Sequence, residues 1–233
     1  MFNSYHQTLF FLHIPKAAGS TLTAIIKQNY DPERVLSIDS KFNENEYFQN
    51  LPASLRESYD VVCGHFSFGI HRYVNKPCTY MTILREPVAR TISDYFFRLS
   101  IFEEYKQISL LEFIAKPYTM LTDNGMTRWL SGVRDTVEYG GIKKEHLLQA
   151  KENLRCNFSA VGITEMFNES MALFKAIYQW RNIEHAPVNV TKPHKERHNI
   201  SRHIQKKIEE FNCYDVELYN FGKTIFRNLI LKP

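Results

Sequence analysis

The 233-residue chain has only 4 cysteines, and Cys63, Cys78, Cys156 and Cys213 lack the close paired spacing of a zinc site or a disulfide scaffold. They are expected to be reduced, mostly buried thiols. No apolar run approaches the ~20 residues that cross a bilayer. The polar residues 1–8, leading straight into Leu9-Phe10-Phe11-Leu12, do not have a signal-peptide layout. As given, the chain reads as soluble and cytoplasmic, or as a Golgi-lumen protein if it is trimmed from an anchored parent. Repeats, low-complexity tracts and Gly/Ser linkers are also missing, and the 9 glycines and 9 prolines are scattered, so one domain over residues 1–233 is expected. The Walker signature G-x-x-x-x-G-K-[ST] is absent, which removes the main support for a P-loop small-molecule kinase.

What is present is ordinary globular material: 44% hydrophobic and 23% charged residues, enough for one substantial core. The formal charge of +4 suits an anionic ligand without requiring one. No nucleic-acid or membrane partner is expected, and homo-oligomerisation stays open. Short apolar runs at residues 8–14, 34–38, 60–64, 78–84 and 158–163 predict strands. Helical spacing predicts helices over 20–30, 87–101, 143–155 and 165–180, and two more within 201–229. Strands separated by helices imply a three-layer α/β fold with a central, mainly parallel sheet flanked by helices. Ligands in such folds lie beyond the carboxyl ends of the strands, here residues 15–21, 64–71, 85–93 and 162–165.

Two of these stretches have anion-binding character. His13-Ile14-Pro15-Lys16-Ala17-Ala18-Gly19-Ser20-Thr21 joins strand to helix through small residues, so backbone N–H groups can converge on an anion, with Lys16 adding charge and Ser20 and Thr21 adding hydroxyls. An ordinary turn capped by Ser20 or Thr21 would share this pattern. His13, at a strand end, reads as packed or hydrogen-bonded. In Leu84-Arg85-Glu86-Pro87-Val88-Ala89-Arg90-Thr91-Ile92-Ser93, Arg85 ends a strand and Ser93 follows about two helical turns later. Together they can grip a phosphate, although Arg85 alone could equally form a structural salt bridge.

These two segments resemble the 5′-phosphosulfate loop and the 3′-phosphate motif of sulfotransferases that use 3′-phosphoadenosine 5′-phosphosulfate (PAPS). With Gly64-His65-Phe66-Ser67-Phe68, Met126-Thr127-Arg128-Trp129-Leu130 and Val161-Gly162-Ile163-Thr164-Glu165, the order of motifs over about residues 8–180 is similar to the carbohydrate 2-O-sulfotransferases of heparan and chondroitin uronic acids. The resemblance implies that Lys16 and the backbone of Ala17, Ala18, Gly19, Ser20 and Thr21 hold the phosphosulfate, and that Arg85 and Ser93 hold the 3′-phosphate. It places Ile163 and Thr164 near the adenine, where a plain turn is an equal reading. Lys195 and Arg197 would belong to a loop closing over the nucleotide, or to a solvated charge cluster.

Sulfuryl transfer requires a base for the acceptor hydroxyl and charge stabilisation at the departing phosphate, with adenosine 3′,5′-bisphosphate (PAP) as product and no metal. Lys16 suits the second task. His65, at a strand's carboxyl end, corresponds to the base of the 2-O-sulfotransferases, and imidazole titrates near neutrality. His71 is the reserve. Arg72, Arg98, Asn124, Arg128 and Trp129 are candidates to line an acceptor site, since indole faces suit sugar rings and arginines suit anionic glycans, but each could instead be core or surface. The acceptor is expected to be a carbohydrate, with a non-carbohydrate small hydroxyl compound as alternative. A catalytically silent nucleotide-binding module stays open on sequence alone.

Overall fold

A computed structural model describes residues 7–38, 43–184 and 200–231. Five strands, β1 (Thr8–Leu12), β2 (Val35–Ser37), β3 (Val61–Gly64), β4 (Cys78–Leu84) and β5 (Phe158–Ile163), form one sheet in the order β2-β3-β1-β4-β5. Every neighbouring pair is parallel. All five positions of β1 are buried, because the strand has a neighbour on each edge and is covered on both faces. Its Phe10 packs edge-on against Phe48 and Phe66 and stacks on Tyr80 at 5.3 Å.

The flanking helices are α1 (Gly19–Asn29), α2 (Glu44–Asn50), α3 (Ala53–Ser58), α4 (Pro87–Ile101), α5 (Leu110–Ala115), α6 (Gly125–Ser131), α7 (Lys144–Cys156), α8 (Phe167–Tyr178), α9 (Arg202–Phe211) and α10 (Cys213–Ile230). Helix α4 starts where the sequence places it. Pro87 occupies the first turn, and the Glu86 carboxylate accepts from the amides of Val88 and Ala89 at 2.9 and 2.7 Å. Its apolar residues Val88, Ile92, Tyr95 and Leu99 join a second, smaller core with α5 and α9. Arg90, Thr91, Ser93 and Asp94 on the remaining faces are buried as well.

Three expectations change. Helices α2, α3, α5 and α6 were not predicted, since elements of 6 or 7 residues are too short to display a helical period. Residues 164–166 form a separate 3-10 turn, and α8 follows it from Phe167. The four cysteines are free, but only Cys63 is buried, and Cys156 and Cys213 are exposed because they lie on the outer surfaces of α7 and α10. Among the described residues no helix is long and apolar enough to cross a membrane.

Candidate active site

The chain leaves β1 through His13 and enters α1 by a turn in which Lys16 (φ 67°) and Ala18 (φ 58°) are both left-handed. Such a backbone costs a non-glycine residue of order 1 kcal/mol, so two in three residues mark a turn held for its shape. Left-handed residues in this pattern curl successive N–H groups inward around a concavity that fits an anion. The cap position of α1 is Ala18, with no side-chain cap among the described residues. Ser20 and Thr21 are therefore inside the helix, which removes the reading of this turn as one they cap. Gly19 is required by close approach: a Cβ there would stand 1.9 Å from Cδ2 of His13.

The second anion segment is fastened to the first. Arg85 donates from Nη1 to the Lys16 carbonyl at 2.9 Å, so the end of β4 and the turn after β1 form one unit. Above them the Lys16 ammonium lies 3.7 Å from the ring centroid of Phe97, one helical turn beyond the buried Ser93 on α4. Ile163 is buried, and the Thr164 hydroxyl donates to the Leu84 carbonyl at 2.9 Å, pinning the end of β5 to β4. Glu165 continues the seam by accepting from the Glu86 amide and the Tyr219 hydroxyl. Lys195 and Arg197 lie outside the described residues.

His65 emerges from β3 beside this unit. Its Nδ1 is 2.7 Å from the His13 carbonyl oxygen. A carbonyl only accepts, so Nδ1 carries the proton and the neutral ring keeps its lone pair on Nε2. Burial lowers its pKa, against the raising effects of the His13 hydrogen bond and Glu44, and the Arg134 guanidinium lowers it further. The His13 ring, 4.1 Å from that of His65, is held well below the usual histidine value by burial and by the adjacent His65 and Lys16. A cleft of about 250 Å³ is lined by His13, Ser20, Thr23, Ser37, Cys63 and His65, among others. It joins the anion turn to the imidazole.

His71 sits elsewhere. The Tyr80 hydroxyl accepts from the amides of Gly69 and His71, so its own proton goes to Nδ1 of His71 at 2.8 Å. That knot stabilises the 69–73 turn, and Arg72 beside it is exposed.

Four of the residues considered for the acceptor, Arg98, Asn124, Arg128 and Trp129, have partners inside the protein. Arg128 is fully buried, pairs with Asp123 and donates to the carbonyls of Val137 and Glu138. Asn124 is buried in a left-handed conformation, bonded to the amides of Tyr214 and Asp215. Arg98 bonds Asp94, the Tyr105 hydroxyl and Thr119. Trp129, 6% exposed, donates from Nε1 to the His65 carbonyl at 2.8 Å. These side chains of the α6 segment are engaged in internal contacts. Sequence reasoning did not single out Glu44, Phe97 and Arg134, because a charged residue in a polar stretch and one phenylalanine among 17 carry no distinguishing signal.

A parallel sheet whose central strand feeds a lysine-bearing anion turn, fastened to an arginine at the end of the next strand, defines an α/β protein of the P-loop-like class. Residues 1–222 match the model of the Sulfotransferase family, and the chain belongs to that family. Its fold is similar to that of a mouse sulfotransferase complexed with PAP, with a TM-score of 0.54 at 13% identity over 95% of this chain and 88% of the other. A sulfotransferase from Alicyclobacillus acidocaldarius gives 0.53 at 14% identity, covering 95% and 96%. In sequence the chain is 21% identical over 192 residues to galactose-3-O-sulfotransferase 2 of Sus scrofa, covering 74% of this chain and 46% of that protein. It is 27% identical over 180 residues to heparan-sulfate 6-O-sulfotransferase 2 of Homo sapiens, covering 63% and 29%. The chain spans less than half the length of these curated relatives, whose names specify 3-O and 6-O transfer.

Proposed function

We propose that the chain is a sulfotransferase domain that moves a sulfuryl group from PAPS to a carbohydrate hydroxyl, with His65 as general base. The observation that carries this reading is the cleft shared by Ser20 of the anion turn and His65, whose Nδ1–H···O bond to His13 leaves Nε2 unprotonated. Bound PAPS would supply an activated sulfuryl group on a good leaving phosphate. The turn from Lys16 to Thr21 suits the phosphosulfate because left-handed backbone at Lys16 and Ala18 favours converging amides, to which the ammonium adds positive charge. Arg85 and Ser93 suit the 3′-phosphate, the guanidinium through a paired hydrogen bond. Thr164 and Ile163 would border the adenine.

His65 Nε2 would take the acceptor proton, and Lys16 would stabilise charge at the departing phosphate oxygen. A carbohydrate acceptor draws support from the names of both sequence relatives, which differ in the hydroxyl they specify. Calorimetric titration with PAP, with ATP as comparison, tests the cofactor half. Micromolar or tighter binding that needs the 3′-phosphate is expected. Preference for magnesium-ATP would overturn it. Transfer of label from PAPS to neutral and anionic oligosaccharides tests the rest: His65→Ala should lower it by about 100-fold to 10,000-fold while sparing PAP affinity.

A further inference from the structure

His65 stands one residue past the end of its strand. The last backbone bonds that secure this edge run from the His13 amide to the Gly64 carbonyl at 2.9 Å and from the Ile38 amide to the Cys63 carbonyl at 2.8 Å. Beyond Gly64 the neighbouring strand has turned away toward Pro15, which has no amide to offer. The His65 carbonyl nevertheless has two side-chain donors, Nε1 of Trp129 at 2.8 Å and Nη1 of Arg134. The Arg134 guanidinium lies over the Trp129 indole, 5.2 Å from a ring centroid. Behind it, the carboxylate of Glu44 is 3% exposed and pairs with Arg134 at 3.0 Å, and Asp135 holds the Arg134 Nε at 2.7 Å.

The same short segment is fastened again three residues later. The Phe68 amide donates to the Trp129 carbonyl at 2.9 Å. Gly132, left-handed at φ 85°, closes α6 so tightly against this segment that a Cβ there would stand 2.7 Å from the Phe68 carbonyl oxygen. The end of α6 is therefore docked along residues 65–68, with its indole and the following arginine converging on one oxygen.

We infer that Trp129, Arg134 and Glu44 form a clamp that positions His65: by gripping its backbone carbonyl, they hold the imidazole where Nδ1 meets the His13 carbonyl and Nε2 faces the cleft. This rests on His65 being the base. The clamp does for the first residue after β3 what a sheet partner does for residues within it. Trp129 and Arg134 touch neither reacting group and are positioning residues. Glu44 supplies the fixed counter-charge that keeps the guanidinium at the carbonyl instead of in solvent.

The test compares the full chain with Trp129→Phe, Arg134→Gln and Arg134→Lys, each saturated with PAP, by nitrogen-15 NMR of the histidine rings. His65→Ala assigns the His65 signal. Trp129→Phe keeps an aromatic ring at this position and removes the Nε1–H donor together with part of the indole surface. In the unsubstituted chain the His65 signal should be sharp, with Nδ1 protonated and Nε2 not. In Trp129→Phe and Arg134→Gln it should move toward the averaged signal of an unconstrained imidazole, with PAP affinity within about twofold and transfer lowered about tenfold to a hundredfold in kcat. Arg134→Lys, which keeps the charge but not the fork of donors, should fall between. An unchanged His65 signal in both Trp129→Phe and Arg134→Gln would overturn the clamp. Full transfer by His65→Ala would instead overturn the base, whatever the NMR result.

Discussion

The turn at residues 13–21 and the α6 segment at 123–134 are both rich in polar and small residues, and both contain residues with positive φ. They serve opposite ends. In the turn, left-handed Lys16 and Ala18 shape the connection from β1 to α1, and Ser20 and His13 border a cleft. In α6, left-handed Asn124 directs its side chain inward to the amides of α10, and Arg128 is sealed from solvent. The arginines of the two regions are held by different partners. Arg128 has Asp123, whereas Arg85 bonds the backbone of the anion turn itself.

The sharpest way to break this contrast is to truncate one arginine from each region. Arg128→Ala removes one partner of a buried ion pair and should destabilise the chain by about 3–5 kcal/mol, measured by urea unfolding, without a specific loss of PAP affinity in the folded fraction. Arg85→Ala should instead weaken PAP binding by about 10-fold to 100-fold, the scale of a hydrogen bond to a charged group, with a smaller change in the unfolding midpoint. Equal PAP binding by the unsubstituted chain and Arg85→Ala would erase the distinction.

A Cβ at residue 19 sharpens the first region alone. Gly19→Ala must displace the His13 ring, and overpacking of this kind costs about 1–3 kcal/mol. Because His13 also holds His65, transfer should fall more than stability does. Retention of both would show that the close approach is dispensable.

Titration separates the regions as well. His13 and His65 both have folded-state pKa values below the ordinary histidine value, chiefly through burial. Below about pH 6.5 the unfolded chain takes up protons that the folded chain does not. The stability contributed by these groups is full above about pH 6.5 and is lost as pH falls through that value toward the folded-state pKa. Unfolding midpoints should drop between about pH 7 and pH 5, less so in a His13→Phe chain. The acid limb of transfer should lie below about 6.5; an acid limb well above it would contradict a buried neutral base.

The smallest expected effect concerns Phe97. A cation–π contact of this kind is worth about 0.5–1 kcal/mol, so Phe97→Leu should change PAP affinity by no more than about fivefold, in either direction. A larger loss would place the ring in the nucleotide site itself.

The strands were legible because β1, β3, β4 and β5 are short apolar runs, and β4, β5 and α4 coincide with their predicted ranges. The turn after β1 was legible for a related reason: small residues around a lysine between an apolar run and a helical period announce a strand-to-helix connection locally. The resemblance supplied the proposed roles, which spacing could not give. Trp129 was visible as a chemically notable residue, but its direction was not.

What the sequence determined by itself was the alternation of strands and helices, the turn that follows β1, and the presence of an imidazole and an arginine at strand ends. Tertiary structure alone decided which polar groups face the cleft and which are consumed in holding it. The His65 carbonyl meets Trp129 across 64 residues of chain, and Glu44 meets Arg134 across 90. Local periodicity carries no information about such pairings, because they exist only after the sheet has brought distant loops to the same edge.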